Sequence, residues 1–346
     1  MRIKFCNPIT PDLKLVNSYL KESFTSGYLS NFGPAYTELC RKFKENVFNL
    51  GPDREILLTS SGHTALMAAY AALGVKRLLV PSFTFEATRA AATLQGIGTI
   101  IKDVDPMSGC FTVDIIKSVD PSTYDAIVVV CALSTIPDLD SIQRYCRSMG
   151  KRMIIDAAPA FGTKNIYYYG DAFCLSFHAT KTLPAGEGGA VILKSDYYDK
   201  ARSFINFGFD DKKNVSMVGM NAKISEYSCA VLLALIEKVR FVVDKRLENL
   251  QVYRSFIDHL IPPTWVYNTV YQSLPIFLDS SEKVGPIRKR LSEVGVDTLQ
   301  YYSPLDPGSP VSASLYSRNI NIPIHQGVSI EDIGFICSVI LDGGLE

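Results

Sequence analysis

Lys181 stands alone among lysines in a polar, glycine-rich stretch between two apolar runs, residues 172–177 and 188–193. The surrounding residues 170–192 read GDAFCLSFHATKTLPAGEGGAVI. Both flanks have the length and composition of short buried strands. An ammonium beside a buried strand end loses hydration, so its pKa falls and the neutral amine is favoured. A neutral amine attacks carbonyls and forms Schiff bases. Ser176 and His178 lie just before it. On these residues alone, a hairpin lysine open to water remains the alternative.

Two further stretches carry chemistry of a complementary kind. The apolar run 152–155 ends in Asp156, a carboxylate at a strand end, where a helix N-cap is the ordinary alternative. The run 56–59 is followed by Ser-Ser-Gly-His-Thr (60–64) and then by the helix-forming ALMAAYAAL. Free N–H groups at such a helix start attract phosphate, although a plain strand-to-helix turn has the same outline.

The elements that must position these residues alternate. Apolar segments at 56–59, 78–81, 97–101, 126–131 and 152–155 are separated by helical patterns at 86–95 and 139–149. This rhythm predicts an α/β fold with a mostly parallel sheet flanked by helices. In such sheets ligands sit at the carboxyl ends of the strands, which is where Asp156, residues 60–64 and residues 83–85 fall. Helices are expected at 11–23 and 34–47, and a single long one over 225–253. Beyond it the pattern changes to short strands, such as 274–278, with helices at 285–294 and 330–341. The expected organisation is a large domain, 1–235, and a smaller α+β domain, 236–346.

Composition excludes several classes. With 346 residues, 47% of them hydrophobic, the chain has ample material for a core. Basic and acidic residues balance at 35 each, so no nucleic-acid or anionic-membrane surface is expected. The longest apolar runs are too short to span a bilayer, and the start lacks a signal-peptide apolar region. Eight scattered cysteines without a C-x-x-C pair point to reduced thiols and a cytoplasmic protein. The four histidines have no metal-ligand spacing, so no metal is expected.

Taken in order, SGYLSNFGP (26–34), SSGHTAL (60–66), VPSFTFEAT (80–88), IIDAAPAFG (154–162), SFHATKTLPAGEGGAV (176–191), GMNAKISEYSCAVLL (219–233), YYSPLDP (301–307) and NINIPIHQGVSIEDI (319–333) resemble the DegT/DnrJ/EryC1/StrS family. The resemblance covers nearly the whole chain. It implies the fold type I aminotransferase architecture, pyridoxal 5'-phosphate as cofactor, and catalysis by Lys181 and Asp156. Lys181 would bind the cofactor as a Schiff base and then carry protons. Asp156 would pair with the pyridine nitrogen and keep the ring cationic. Gly62, His63 and Ser176 would hold the phosphate, the first two through backbone N–H groups. Phe85 would stack on the ring, with Phe83 as its rival. Asn221 would reach the phosphate of a partner subunit's cofactor, which implies a homodimer with shared active sites.

The resemblance further implies transfer of an amino group from L-glutamate to a nucleotide-linked keto sugar, most simply a 4-keto-6-deoxyhexose, or a 3-keto one. Lys212, Lys213, Lys223 and Arg318 are candidates for its pyrophosphate by location. A cyclitol aminotransferase and a non-catalytic cofactor-binding regulator are the alternatives. Two positions depart from the family pattern. His63 stands where threonine is usual, and Pro159 where glutamine or histidine usually meets the ring hydroxyl. Retention of Lys181 argues against the family's dehydratase branch, which has histidine there.

Overall fold

A computed structural model describes residues 2–261 and 269–342. The chain begins with α1 (Leu13–Ser26) and α2 (Pro34–Lys42), the latter running into a π-helical turn, Phe43–Val47. There follow β1 (Arg54–Thr59), α3 (Gly62–Ala72), β2 (Arg77–Pro81), α4 (Ala87–Thr93) and β3 (Gly98–Lys102). Next come α5 (Val113–Lys117), β4 (Ala126–Val130), α6 (Leu139–Ser148), β5 (Arg152–Asp156), β6 (Ala172–Ser176) and β7 (Gly189–Lys194). The remainder is α7 (Tyr198–Phe204), α8 (Glu226–Ile236), α9 (Val239–Ile257), β8 (Leu274–Phe277), α10 (Val284–Glu293), α11 (Pro310–Arg318), β9 (Asn319–Ile322) and α12 (Ile330–Leu341).

Among the described residues, seven strands form one sheet in the order β1-β7-β6-β5-β4-β2-β3. All neighbours are parallel except β7, which runs against both β6 and β1. Every residue of β4 and β6 is buried, because helices cover both faces of the sheet. The alanine-rich α3 is buried almost all round and packs on β6 and β7 and against α4 and α7. The sheet therefore takes the expected mostly parallel form. The reversal of β7 has a local use. Its first residue, Gly189, pairs with both Thr59 and Ser176, so three strands open at one edge.

The helix expected over 225–253 is two helices. α8 stops at Ile236 and α9 starts at Val239. No proline or glycine marks the break. Its cause is tertiary: α8 lies buried against α1 and α2, whereas α9 turns away to pack on α12 in a second core. That core gathers Leu250, Tyr253, Ile276, Ile287, Ile322 and Ile336 around the antiparallel pair β8–β9. The first residues join it as well, since Ile3 pairs with Val296. α5, α11 and β9 go beyond the elements expected; the first two are short, and β9 is a four-residue strand recognisable only by its partner.

One buried acid ties the N-terminal helices to α8. Glu226 is fully buried and accepts from Ser23 Oγ (2.8 Å), Ala35 N (2.7 Å) and Tyr36 N (3.1 Å). The last two are orphan donors at the start of α2. Gly33 packs so closely on this carboxyl that a Cβ would come within 2.8 Å of it. Glu226→Ala strands three buried donors, so it should cost about 2–4 kcal/mol in urea unfolding, by the usual cost of unpaired buried polar groups. A loss under about 0.5 kcal/mol would show that water replaces the carboxylate.

The C-terminal half is fastened back onto the sheet. Leu305 N donates to Ser82 O (2.9 Å), and Asp306 N to Ser82 Oγ (3.2 Å). Asp103, just past β3, accepts from Val311 N (2.8 Å), Ser312 N (2.9 Å) and Ser312 Oγ (2.6 Å) at the start of α11. These bonds place Tyr301 and Tyr302 beside the carboxyl ends of the strands.

Candidate active site

A cavity of about 400 Å³ opens at that edge. Gly62, His63, Phe85, Asp156, Ser176 and Lys181 all line it. They reach it from several elements. Gly62 and His63 begin α3, Asp156 ends β5, Ser176 ends β6, and Phe85 lies in the turn between β2 and α4.

The lysine segment is a tight loop. Phe177 N donates to Gly188 O (2.8 Å), Ala179 N to Gly186 O (2.9 Å) and Ala185 N to Phe177 O (2.7 Å). Inside it Lys181 N donates to His178 O (2.8 Å), which turns the side chain inward. Lys181 Nζ donates to Gln272 Oε1 (2.9 Å). Burial pulls the Lys181 ammonium down to about 8, against the nearby Asp156 carboxyl and Cys6 thiol, which favour the charged form. An appreciable share of free amine near neutral pH is what a carbonyl-attacking lysine needs.

Asp156 is 5% exposed. Its Oδ2 accepts from Thr88 Oγ1 (2.7 Å) and its Oδ1 from Ala158 N (3.2 Å). Thr88 is braced in turn by Thr84, Oγ1 to Oγ1 2.8 Å. Burial pushes the Asp156 carboxyl up, opposed by Thr88, the Ala158 N–H and Lys181. A cation facing it would keep it ionised.

At the start of α3, Ser61 Oγ accepts from Thr64 N (3.2 Å) and Thr64 Oγ1 from Ser61 N (3.0 Å), a reciprocal cap. The N–H groups of Gly62 and His63 have no intrahelical acceptor and are left for the cavity. Two glycines make the turn possible. A Cβ on Gly62 would lie 2.8 Å from Ser176 Cβ, and one on Gly189 would lie 2.3 Å from Ser61 O. The His63 Nε2 is buried without a partner among the described residues, and burial lowers the imidazole's pKa.

The two phenylalanines differ in exposure. Phe85 is 61% exposed and lines the cavity, whereas Phe83 is 1% exposed and packs edge-on against Tyr302 (5.4 Å). Asn221 lies outside its own chain's cavity, exposed, with its Oδ1 accepting from Lys223 Nζ (2.8 Å). None of the four cation candidates lines the cavity either. Lys223 also bonds Asn206 Oδ1 (2.9 Å), and Arg318 is taken by Ser314 Oγ (3.2 Å). Sequence reasoning missed Thr88, Gln272, Tyr301 and Tyr302 as site residues. Thr84 and Thr88, four residues apart in VPSFTFEAT, were a visible signal for the first. Nothing local marks Gln272.

The residues present fit pyridoxal phosphate. Two free helix N–H groups and a serine suit its phosphate, a buried strand-end carboxyl suits its pyridine nitrogen, and a lysine of lowered pKa suits its aldehyde. The same architecture is found in DesI, solved in the presence of its TDP-sugar product. It matches with a TM-score of 0.89 and 26% identity, covering 99% of this chain and 93% of that one. Fold and site together define a pyridoxal-phosphate-dependent aminotransferase. More particularly, the chain belongs to the DegT/DnrJ/EryC1/StrS aminotransferase family, whose model matches residues 13–341. Among curated relatives, it is 26% identical to the dTDP-4-amino-4,6-dideoxy-D-glucose transaminase of Shigella dysenteriae, over 96% of each chain. It is 25% identical to the GDP-perosamine synthase of Escherichia coli O157:H7, over 93% of each. No helix among the described residues is long and apolar enough to cross a membrane.

Proposed function

We propose that this protein transfers an amino group from L-glutamate to a nucleotide-linked keto sugar, most simply a 4-keto-6-deoxyhexose. The observation that carries the reading is Lys181 and Asp156 in one cavity of a chain that matches a dTDP-sugar transaminase over 96% and a GDP-perosamine synthase over 93% of its length. Pyridoxal phosphate supplies a conjugated cationic ring into which the electron pair left by C–H cleavage spreads. Lys181 would hold it through Nζ, and the same nitrogen would take the proton from the amino acid's α-carbon and supply one to the sugar carbon. Asp156 keeps the pyridine nitrogen protonated. The N–H groups of Gly62 and His63, with Ser176, hold the phosphate, and Phe85 covers the ring.

The test has two stages. Glutamate alone should convert the bound cofactor to its amine form and release 2-oxoglutarate. A panel of dTDP-, GDP- and UDP-linked keto sugars should then restore the aldehyde form. Turnover only with free cyclitol ketones would replace the sugar reading. No 2-oxoglutarate from the loaded protein would refute glutamate as donor. The eight unpaired thiols support a reducing compartment, and we place the protein in the cytoplasm.

We further propose a homodimer in which Asn221 completes the partner's site. Its support is position: the residue is exposed and absent from its own cavity, yet Ala222 O beside it accepts from Ser60 N (2.8 Å), next to the phosphate turn. Two inactive chains, Lys181→Ala and Asn221→Asp, should complement on subunit exchange. One of the two sites in each heterodimer is then intact, so recovery approaches about half of a normal dimer. No recovery despite proven exchange would assign Asn221 to its own chain's site.

A further inference from the structure

We propose that Gln272 donates a hydrogen bond to the cofactor's ring hydroxyl, in place of a side chain at 159. Pro159 lines the cavity and has no side-chain donor. Its carbonyl is occupied by Ser134 Oγ (2.9 Å). The same Ser134 Oγ accepts the N–H of Gln272 (3.1 Å), so the Gln272 backbone sits one hydroxyl away from Pro159. From the other side Arg246, 5% exposed, donates through Nη1 to the carbonyls of Tyr271 (2.9 Å) and Gln272 (2.8 Å). The backbone of Gln272 is thus clamped on its N–H and its C=O, and only the side chain is free to serve the cavity.

That side chain is in the right place. Its Oε1 accepts from Lys181 Nζ at 2.9 Å. Among the described residues, its Nε2 finds only Thr180 Oγ1, at a long 3.5 Å. In pyridoxal phosphate the ring hydroxyl is ortho to the carbon that bonds the lysine nitrogen, so its oxygen lies a hydrogen bond from that nitrogen. An amide in contact with Lys181 Nζ is within reach of the same oxygen, and it brings two N–H donors of which the protein uses one weakly. A donor there stabilises the ring oxygen as an anion, the form that prevails when the linkage to Lys181 loses its proton.

This inference rests on Lys181 as the attachment point, and the experiment separates the two. Gln272→Leu and Gln272→Met remove the amide and leave the clamped backbone untouched. The readout is the pH midpoint of the visible absorbance of the loaded enzyme without substrate. Losing a donor to the ring oxygen should raise that midpoint by about one pH unit, a tenfold change in proton affinity. If Gln272 instead serves only as acceptor for the lysine nitrogen, its removal should lower the midpoint. The other titratable groups around Lys181 stay in place in both variants. They are Asp156 from β5, His63 from the start of α3, Cys6 from the N-terminal segment, His178 and Glu187 from the lysine loop, Tyr301 and Tyr302 from the segment before α11, His325 after β9, and Arg246 from α9. Adding Pro159→Gln to Gln272→Leu puts an amide back on the strand-end segment and should bring the midpoint down again.

Borohydride reduction and peptide mapping are run on each protein. An unchanged or lowered midpoint in a folded Gln272→Leu or Gln272→Met enzyme still labelled on Lys181 overturns the role of Gln272. Absence of label on Lys181 in the unaltered enzyme overturns the attachment point instead.

Discussion

Lys181→Ala is expected to abolish transamination, by at least about 10³-fold, since it removes the group that moves protons at both ends of the reaction. The fold should survive, because the loop is held by its backbone bonds between residues 177 and 188 and not by the lysine side chain. Cofactor can still bind without a covalent link through the phosphate turn and Asp156. In the unaltered enzyme, reduction with borohydride should place the pyridoxyl group on Lys181. A label on Lys164 or Lys194, or none, would refute the assignment. The pH dependence follows with a definite sign. Burial lowers the Lys181 pKa to about 8, so the neutral amine grows as pH rises through that value. The rate at which apoenzyme takes up cofactor covalently should therefore climb between about pH 7 and 9 and then level off. A flat profile over that range would mean that amine deprotonation does not limit attachment.

Asp156→Asn is expected to lose about 10²–10³-fold in turnover, the scale set by removing one oriented electrostatic partner from a buried site. The amide is nearly isosteric and can still accept from the Ala158 N–H or Thr88 Oγ1. It cannot hold a proton on the pyridine nitrogen. The stability effect has the opposite sense. Because burial raises the Asp156 carboxyl's pKa, the folded apoenzyme carries this charge at a cost. For an acid raised on folding, that contribution is most favourable below the unfolded pKa and is lost as pH rises through the folded one. At neutral pH the apoenzyme of the Asp156→Asn variant should thus be no less stable than the original. Calorimetry of the apo form and turnover of the loaded form give the two readouts. Near-normal turnover would transfer the role to another residue, while a large loss of apo stability would make Asp156 a structural acid.

Much of this was legible in the chain itself, for reasons that are local. A Ser/Gly turn before a helix, an apolar strand ending in aspartate and a lysine between two apolar strands are each written in contiguous residues. Turn chemistry and periodicity act over a few positions, so they survive without knowledge of the fold. The alternation of strands and helices determined a mostly parallel sheet, and with it the edge where ligands must sit. The close approach of Gly62 to Ser176 and of Gly189 to Ser61 accounts for glycine in both motifs.

Only the tertiary structure decided the rest. Phe85 and Phe83 are two residues apart and chemically identical, yet Phe83 is buried against Tyr302 while Phe85 is exposed and lines the cavity. Gln272 meets Lys181 across 91 positions, and Thr88 meets Asp156 across 68. The break between α8 and α9 carries no helix-breaking residue, because it answers to two separate cores. Four cations suggested by location fall outside the cavity of their own chain. In each case the deciding term is a contact between segments distant in sequence, and such contacts depend on how the sheet and the returning C-terminal half pack, which no short window of residues encodes.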